Sequence, residues 1–117
     1  MTRINIVSVP VSNQQAAKEF YLKMGLEVVT EQPMGNGQTW LQMRFPGGGA
    51  DITLVTWFTK MPAGSLHGTT ILTDDIEAET RQLNEKGIAT TPIDPQPWGK
   101  FSMVSDPDGN MWVLHQM

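Results

Sequence analysis

The fold is decided by the stretch Phe101–Met117, which reads FSMVSDPDGNMWVLHQM. Two apolar runs flank the segment Asp106–Asn110, whose order of aspartate, proline, aspartate and glycine is typical of a tight turn. We therefore predict a β-hairpin over this stretch. Side chains alternate between the two faces of a strand, so the second strand presents on one face Met111, Val113 and His115 and on the other Trp112 and Leu114.

The hairpin resembles the C-terminal signature of the vicinal oxygen chelate superfamily, which includes glyoxalase I, bleomycin-resistance proteins and extradiol dioxygenases. The matching residues are Phe101, Met103, Asp106–Asn110 and Trp112–Leu114. The resemblance covers nearly the whole chain and implies an α+β fold. In that fold, two βαβββ modules form a cup-shaped mixed sheet with the helices on its outer face. The resemblance also implies a homodimer.

Outside the hairpin, the sequence repeats its own pattern once. Moving the first half forward by 62 positions superimposes four pairs: Ser12 on Asp74, Ala16 on Ala78, Gly25 on Gly87 and Leu26 on Ile88. We predict one helix that begins at Ser12, with Gln15 completing a capping box, and a second that begins at Asp74 or Asp75. Each half then reads as a strand, a helix and three strands, which agrees with the resemblance.

The repeat also predicts how the chain is divided. We expect a single domain over residues 1–117, made of a first module over 1–59, a linker over 60–66 and a second module over 67–117. Two stretches rich in glycine or proline, Pro33–Gln38 and Asp94–Lys100, are predicted to be loops within the modules.

Composition excludes several classes of function. The net charge is −4 and the Lys and Arg residues are scattered, so no basic face is available for nucleic acid. The chain has no cysteine, which excludes disulfides and thiolate chemistry. No apolar run reaches the length of a membrane span, and the run Ile4–Val9 is interpreted as a strand and not as a signal peptide. We therefore expect a cytoplasmic protein without membrane or nucleic-acid partners.

The resemblance further implies where a metal ion would be bound. Metal-dependent relatives take two ligands from each module, and the corresponding positions in this chain are Ile6, Thr53, Gly68 and Val113. None of these side chains is a histidine or a carboxylate, and a divalent ion needs three or four such ligands. We predict that the protein binds no metal and no other cofactor. The alternative is a displaced metal site that uses His67 and His115, with Asp51 as a further possible ligand.

The strand pattern predicts a ligand-binding face inside the cup. Along the third and fourth strands, a mixed polar and aromatic set alternates with a purely apolar set, as in a sheet covered by helices on one face. The predicted ligand-binding residues are Trp40, Gln42, Arg44, Thr53, Val55, Trp57, Trp98, Phe101, Met103, Val113 and His115. In this interpretation the tryptophans stack on a flat ligand, and Arg44 holds an anionic group.

Three hypotheses about function remain open at this stage. The first is a metal-free protein that binds a small aromatic or anionic molecule, by analogy with the bleomycin-resistance branch, which acts by sequestration. The second is a metal-dependent, glyoxalase-like lyase or dioxygenase that uses the displaced histidine site. The third is a regulatory or antidote subunit that binds another protein through a tryptophan-rich surface.

Overall fold

The computed structural model describes residues 1–117 and contains two helices and eight strands. In chain order these are β1 (Ile6–Pro10), α1 (Gln14–Lys23), β2 (Glu27–Gly35), β3 (Gln38–Arg44), β4 (Asp51–Val55), β5 (His67–Leu72), α2 (Ile76–Glu85), β6 (Asp94–Gln96), β7 (Gly99–Ser105) and β8 (Met111–Gln116). Each half of the chain therefore contributes one strand, one helix and three strands, as the repeat predicts.

The strands form two mixed sheets of four strands each. The first has the order β1-β4-β3-β2 and the second has the order β5-β8-β7-β6. In each sheet the strand before the helix pairs in parallel with the last strand of the module, and the other pairs are antiparallel. This arrangement confirms the predicted α+β fold of two βαβββ modules.

The two helices begin in the same way, 62 positions apart. The side chain of Asn13 accepts a hydrogen bond from the backbone N–H of Ala16, and the side chain of Asp75 accepts one from Ala78. Each cap satisfies an N–H group that has no partner within its helix. The predicted capping box of Ser12 and Gln15 is wrong by one residue, because Ser12 instead binds Asp108 in the second module.

Two of the predicted loops contain strand residues. β2 and β3 extend into the range 33–38 and meet at a two-residue turn, in which Asn36 and Gly37 have φ values of 55° and 73°. These values match a type I′ turn, whose twist suits a hairpin. The short strand β6 lies within the range 94–100 and pairs with the start of β7. Both segments are exposed sheet edges, where apolar periodicity is weak.

A single hydrophobic core joins both modules. It combines one face of each sheet with the inner faces of the helices, and its largest fully buried side chains include Trp112, Tyr21, Leu41, Met43, Ile52 and Leu54. The apolar faces predicted for β3 and β4 therefore point into the core. The polar and aromatic side chains of the same strands point to the opposite face, which is where the candidate site lies.

The β7–β8 turn fastens the two modules together. Asp106 accepts hydrogen bonds from the backbone N–H groups of Asp108 and Asn110, from the side chain of Asn110, and from the phenol of Tyr21 in α1. The Asn110 side chain also donates to the carbonyl of Pro10 and accepts from the N–H of Leu66. The signature turn thus connects β1, α1 and the start of β5 at one point.

Candidate functional site

The face of the first sheet that lies opposite the helices and the core carries a continuous chain of hydrogen bonds. Trp40 Nε1 donates to Gln42 Oε1 at 3.1 Å, and Gln42 Nε2 donates to Asp51 Oδ2 at 2.7 Å. Arg44 donates to the same carboxylate through Nε and Nη2, at 2.9 and 3.0 Å. Because β3 and β4 pair with Gln42 opposite Thr53, the register also places Arg44 opposite Asp51.

The Arg44–Asp51 pair neutralises its own charge. The hydrogen bonds from Arg44 hold the pKa of Asp51 below its usual range, and the same bonds raise the pKa of Arg44. Both groups therefore stay ionised, with the carboxylate almost buried and about half of the arginine side chain exposed. Arg44 therefore does not carry a free positive charge on this face, because Asp51 occupies two of its N–H groups.

Two of the predicted ligand-binding residues lie beneath this face and not on it. Thr53 is 1% exposed and Val55 is 2% exposed, so neither presents surface that a ligand could touch. The hydroxyl of Thr53 lies 3.5 Å from the hydroxyl of Ser8 in β1. Both residues lie in β4, one of the two inner strands of the sheet, beneath the side chains that form the face. Trp57 follows β4, is half-buried, and packs beside Phe58 with ring centroids 6.1 Å apart.

The second sheet presents a separate aromatic face. The rings of Phe101 and His115 are stacked with centroids 4.5 Å apart and planes within 2° of each other. Met103 pairs with Val113 on the same two strands. Trp98 lies in the β6–β7 turn and is 67% exposed. No hydrogen bond or aromatic contact joins these residues to the predicted set on the first sheet, so each sheet carries its own half of the predicted face.

The residues at the family's metal positions do not fit a divalent ion. No group of three His, Cys, Asp or Glu side chains converges anywhere in the chain. The displaced site fails on register, because His67 pairs with Met111 while His115 lies four residues further along β8, about 13 Å away at strand spacing. The buried Nε2 of His115 has no hydrogen-bond partner, but it faces the α-carbon of Gly99, where an added Cβ would lie 2.5 Å away.

Two clefts lie between the modules. One, of about 620 Å³, runs between α1 and residues 86–91, and the other, of about 560 Å³, lies beside the glycine-rich turn 46–50. The repeat places that turn where the second module has Asp106–Asn110, but it lacks the polar side chains that fasten the modules. Of the predicted ligand-binding residues, only Met103 lines either cleft.

The sequence prediction missed the connecting role of Asp51. The sequence predicts Asp51 only as a possible ligand of a displaced metal site. The signal that could have found its role is the short β3–β4 connection, which allows an antiparallel pair with Arg44 opposite Asp51, and opposite charges at such positions attract each other. The roles of Tyr21 and Asn110 in joining the modules had no local signal, because their partners lie far away in the sequence.

The chain is similar to a known protein superfamily and to a curated bacterial protein. Residues 3–114 match the sequence model of the Glyoxalase/Bleomycin resistance protein/Dioxygenase superfamily. Among curated proteins, the uncharacterized protein YetH of Bacillus subtilis (strain 168) is 29% identical, and the match covers 97% of this chain and 98% of YetH.

Two solved structures from Streptomyces sp. CB03234 are similar over almost their whole length. The antibiotic binding protein TnmS3 has a TM-score of 0.92 and 41% identity, with 99% of this chain and 96% of TnmS3 covered. A glyoxalase/bleomycin resistance protein from the same organism has a TM-score of 0.87 and 42% identity, with 97% and 99% covered.

Neither helix of the chain has the length and hydrophobicity that a membrane span requires.

Proposed function

The chain belongs to the glyoxalase/bleomycin resistance protein/dioxygenase superfamily, and we propose that it binds and sequesters a small, partly aromatic antibiotic or related organic molecule without a metal ion. The observation that carries this proposal is the 41% identity to an antibiotic binding protein over 99% of the chain, at a TM-score of 0.92. At this level of identity the relative's mode of action is a stronger guide than the shared fold alone, which serves many chemistries.

The chemistry of the two sheet faces supports binding over catalysis. Trp40 on the first sheet and the Phe101–His115 stack on the second offer flat apolar surface, and Gln42 and Arg44 offer hydrogen-bond donors. Binding sites for small molecules combine these features: mostly apolar walls and a few placed polar groups. Hydrophobic residues stand at two of the four positions from which metal-dependent relatives take their ligands, Ile6 and Val113.

We further propose that the ligand site is completed in a homodimer. The predicted face on each sheet is open in one chain, and Leu72 and Met103 of the second module are 60% and 46% exposed. A second copy that covers these apolar side chains would bring the two half-faces together around one ligand. Sedimentation equilibrium tests this proposal: a dimer has the mass of two chains, and the mass of one chain would contradict it.

The cellular test separates sequestration from destruction of the drug. A sensitive host that expresses the chain is challenged with a panel of aromatic antibiotics, and the drug is then recovered and analysed by mass spectrometry. We expect raised tolerance to at least one compound, with that compound recovered intact. Recovery of a modified compound would contradict a binding role and support an enzyme. Immunoblotting of fractionated cells tests the cytoplasmic location that we also propose.

A further inference from the structure

Around Asp51, the first sheet presents hydrogen-bond donors that have no partner within the chain. A guanidinium has five N–H groups, and Arg44 gives two of them to Asp51, which leaves three. The amide nitrogen of Gln42 has two N–H groups and gives one to the same carboxylate, which leaves one. Asp51, the acceptor they share, has a side chain only 6% exposed. The unused polar groups of Arg44 and Gln42 are therefore N–H groups, and the exposed Glu27, which lies opposite Arg44 on β2, adds a second carboxylate to this face.

The charge of this face favours a neutral partner. A carboxylate ligand that approached Arg44 would also feel the Asp51 carboxylate, which is bound directly behind the guanidinium. The like charge of Asp51 reduces the attraction between the ligand carboxylate and Arg44. The ligand carboxylate would still lose its hydration on binding. An amine ligand would be attracted to the exposed Glu27 and not to these N–H groups, which cannot accept its protons. A carbonyl oxygen accepts from the unused N–H groups and loses little hydration.

The donors are held in place before any ligand arrives. Asp51 is buried in the strand β4 and fixes both Arg44 and Gln42, while Trp40 fixes the other end of the Gln42 amide. The half-buried indole of Trp40 lies next to these donors and supplies flat apolar surface. Donors that are already ordered cost less conformational entropy on binding than free side chains.

We infer that Asp51 positions Gln42 and Arg44 as a plate of hydrogen-bond donors whose ligand is a neutral, flat molecule that carries carbonyl oxygens. This inference rests on the proposed function, since it names the chemical class of molecule bound at the same face. It assigns to Asp51 a positioning role, and it replaces the expected anionic ligand with a neutral one.

Three tricyclic probes of nearly equal shape test the inference by equilibrium dialysis at pH 7. They are 9-fluorenone, which has a carbonyl oxygen, fluorene, which has none, and fluorene-9-carboxylate, which is an anion. We expect 9-fluorenone to bind about tenfold more tightly than either of the others, which is the effect of one or two good hydrogen bonds from a charged donor. Equal binding of 9-fluorenone and fluorene, or tighter binding of the carboxylate, would overturn the inference.

Two variants separate positioning from simple support of the fold. Asp51→Asn leaves the Arg44 charge without its partner, so its affinity for fluorene-9-carboxylate should rise about tenfold while that for 9-fluorenone falls. A merely structural defect would weaken both. Arg44→Gln, at a half-exposed site, should reduce 9-fluorenone binding to the fluorene level, and it carries the test if the aspartate variant does not fold. Lys100→Gln removes a paired cation from the second sheet and is the matched control.

The outcome also distinguishes this inference from the proposed function. If none of the three probes binds but an antibiotic of the cellular panel does, the donor plate is wrong and the binding role stands. If neither the probes nor any antibiotic binds, both are wrong. Tighter binding of 9-fluorenone that is lost in Arg44→Gln supports both.

Discussion

The phenol of Tyr21 in α1 donates a 2.7 Å hydrogen bond to Oδ2 of Asp106, which lies 85 residues later in the β7–β8 turn. The same phenol oxygen accepts a hydrogen bond from Trp112 Nε1 at 2.9 Å. All three side chains are buried, so each polar atom depends on the others to replace water. This contact joins the helix of the first module to the hairpin of the second.

Replacement of Tyr21 by phenylalanine should lower the free energy of unfolding by about 2–4 kcal/mol. The variant loses a hydrogen bond to a carboxylate and leaves Trp112 Nε1 buried without a partner. Urea unfolding at fixed protein concentration measures the change. Ser12→Ala is the control, because Ser12 also binds the β7–β8 turn from the first module but is exposed, and it should cost less than about 1 kcal/mol. Equal losses in the two variants would contradict the role of Tyr21.

The stability of the protein should fall at alkaline pH because of the same residue. Burial, together with the nearby charge of Asp106, raises the pKa of Tyr21 far above its usual range. In the unfolded chain a tyrosine loses its proton near pH 10, so the folded state binds more protons above that pH. The contribution is complete below about pH 10 and is lost as the pH rises further.

Absorbance near 295 nm tests this directly, because Tyr21 is the only tyrosine in the chain. We expect no phenolate signal around pH 10 in the folded protein, and a signal that appears together with the loss of native circular dichroism. A reversible titration near pH 10 in protein that stays folded would show that the phenol is accessible.

Replacement of Asn110 should be more harmful with aspartate than with alanine. Its amide donates to the carbonyl of Pro10 and to Asp106, and its oxygen accepts from the N–H of Leu66, all in a fully buried position. Alanine loses these bonds, at a cost of about 2–4 kcal/mol. Aspartate places an oxygen against the Pro10 carbonyl and a charge beside Asp106. Thermal unfolding should rank the wild type above the alanine variant and the alanine variant above the aspartate variant. The reverse order of the two variants would refute the assigned orientation of the amide.

Gly64 should tolerate no side chain, whereas Gly37 should tolerate one with a modest loss. Both have a positive φ, of 84° and 73°, so alanine is strained at either position by about 1–2 kcal/mol. An added Cβ at Gly64 would overlap the carbonyl oxygen of Asp108. A Cβ added at Gly37 would have no atom within 4 Å other than those of its chain neighbours. Gly64→Ala should therefore cost about 1–3 kcal/mol more than Gly37→Ala in urea unfolding. Similar costs would show that the linker can move away from the hairpin turn.

The parts of the fold that follow from local chemistry could be predicted from the sequence. The turn Asp106–Asn110 carries its geometry in its own residues, and each helix cap lies three residues from the N–H group that it binds. The Asn36–Gly37 turn has an equally local signal, but the sequence predicts only a loop there, because the strand residues on either side of it are exposed and lack an apolar alternation.

The candidate site depended on information that is not local. Alternation predicts that Arg44 lies opposite the core, but its pairing with Asp51 depends on the register of β3 and β4. The sequence predicts His115 on a ligand face, but it does not predict that the ring stacks on Phe101 or that its Nε2 lies against Gly99. Neither result follows from spacing along one strand, since both require the packing of neighbouring strands.

The central claim is that this chain binds an antibiotic without a metal ion. The most direct measurement is a calorimetric titration of the protein, dialysed against EDTA, with the antibiotic that TnmS3 binds, with TnmS3 itself as the positive control. We predict saturable binding that is unchanged when Ni²⁺, Zn²⁺, Fe²⁺ or Mn²⁺ is added. Absence of binding while TnmS3 responds, or binding that appears only after a metal is added, would contradict it.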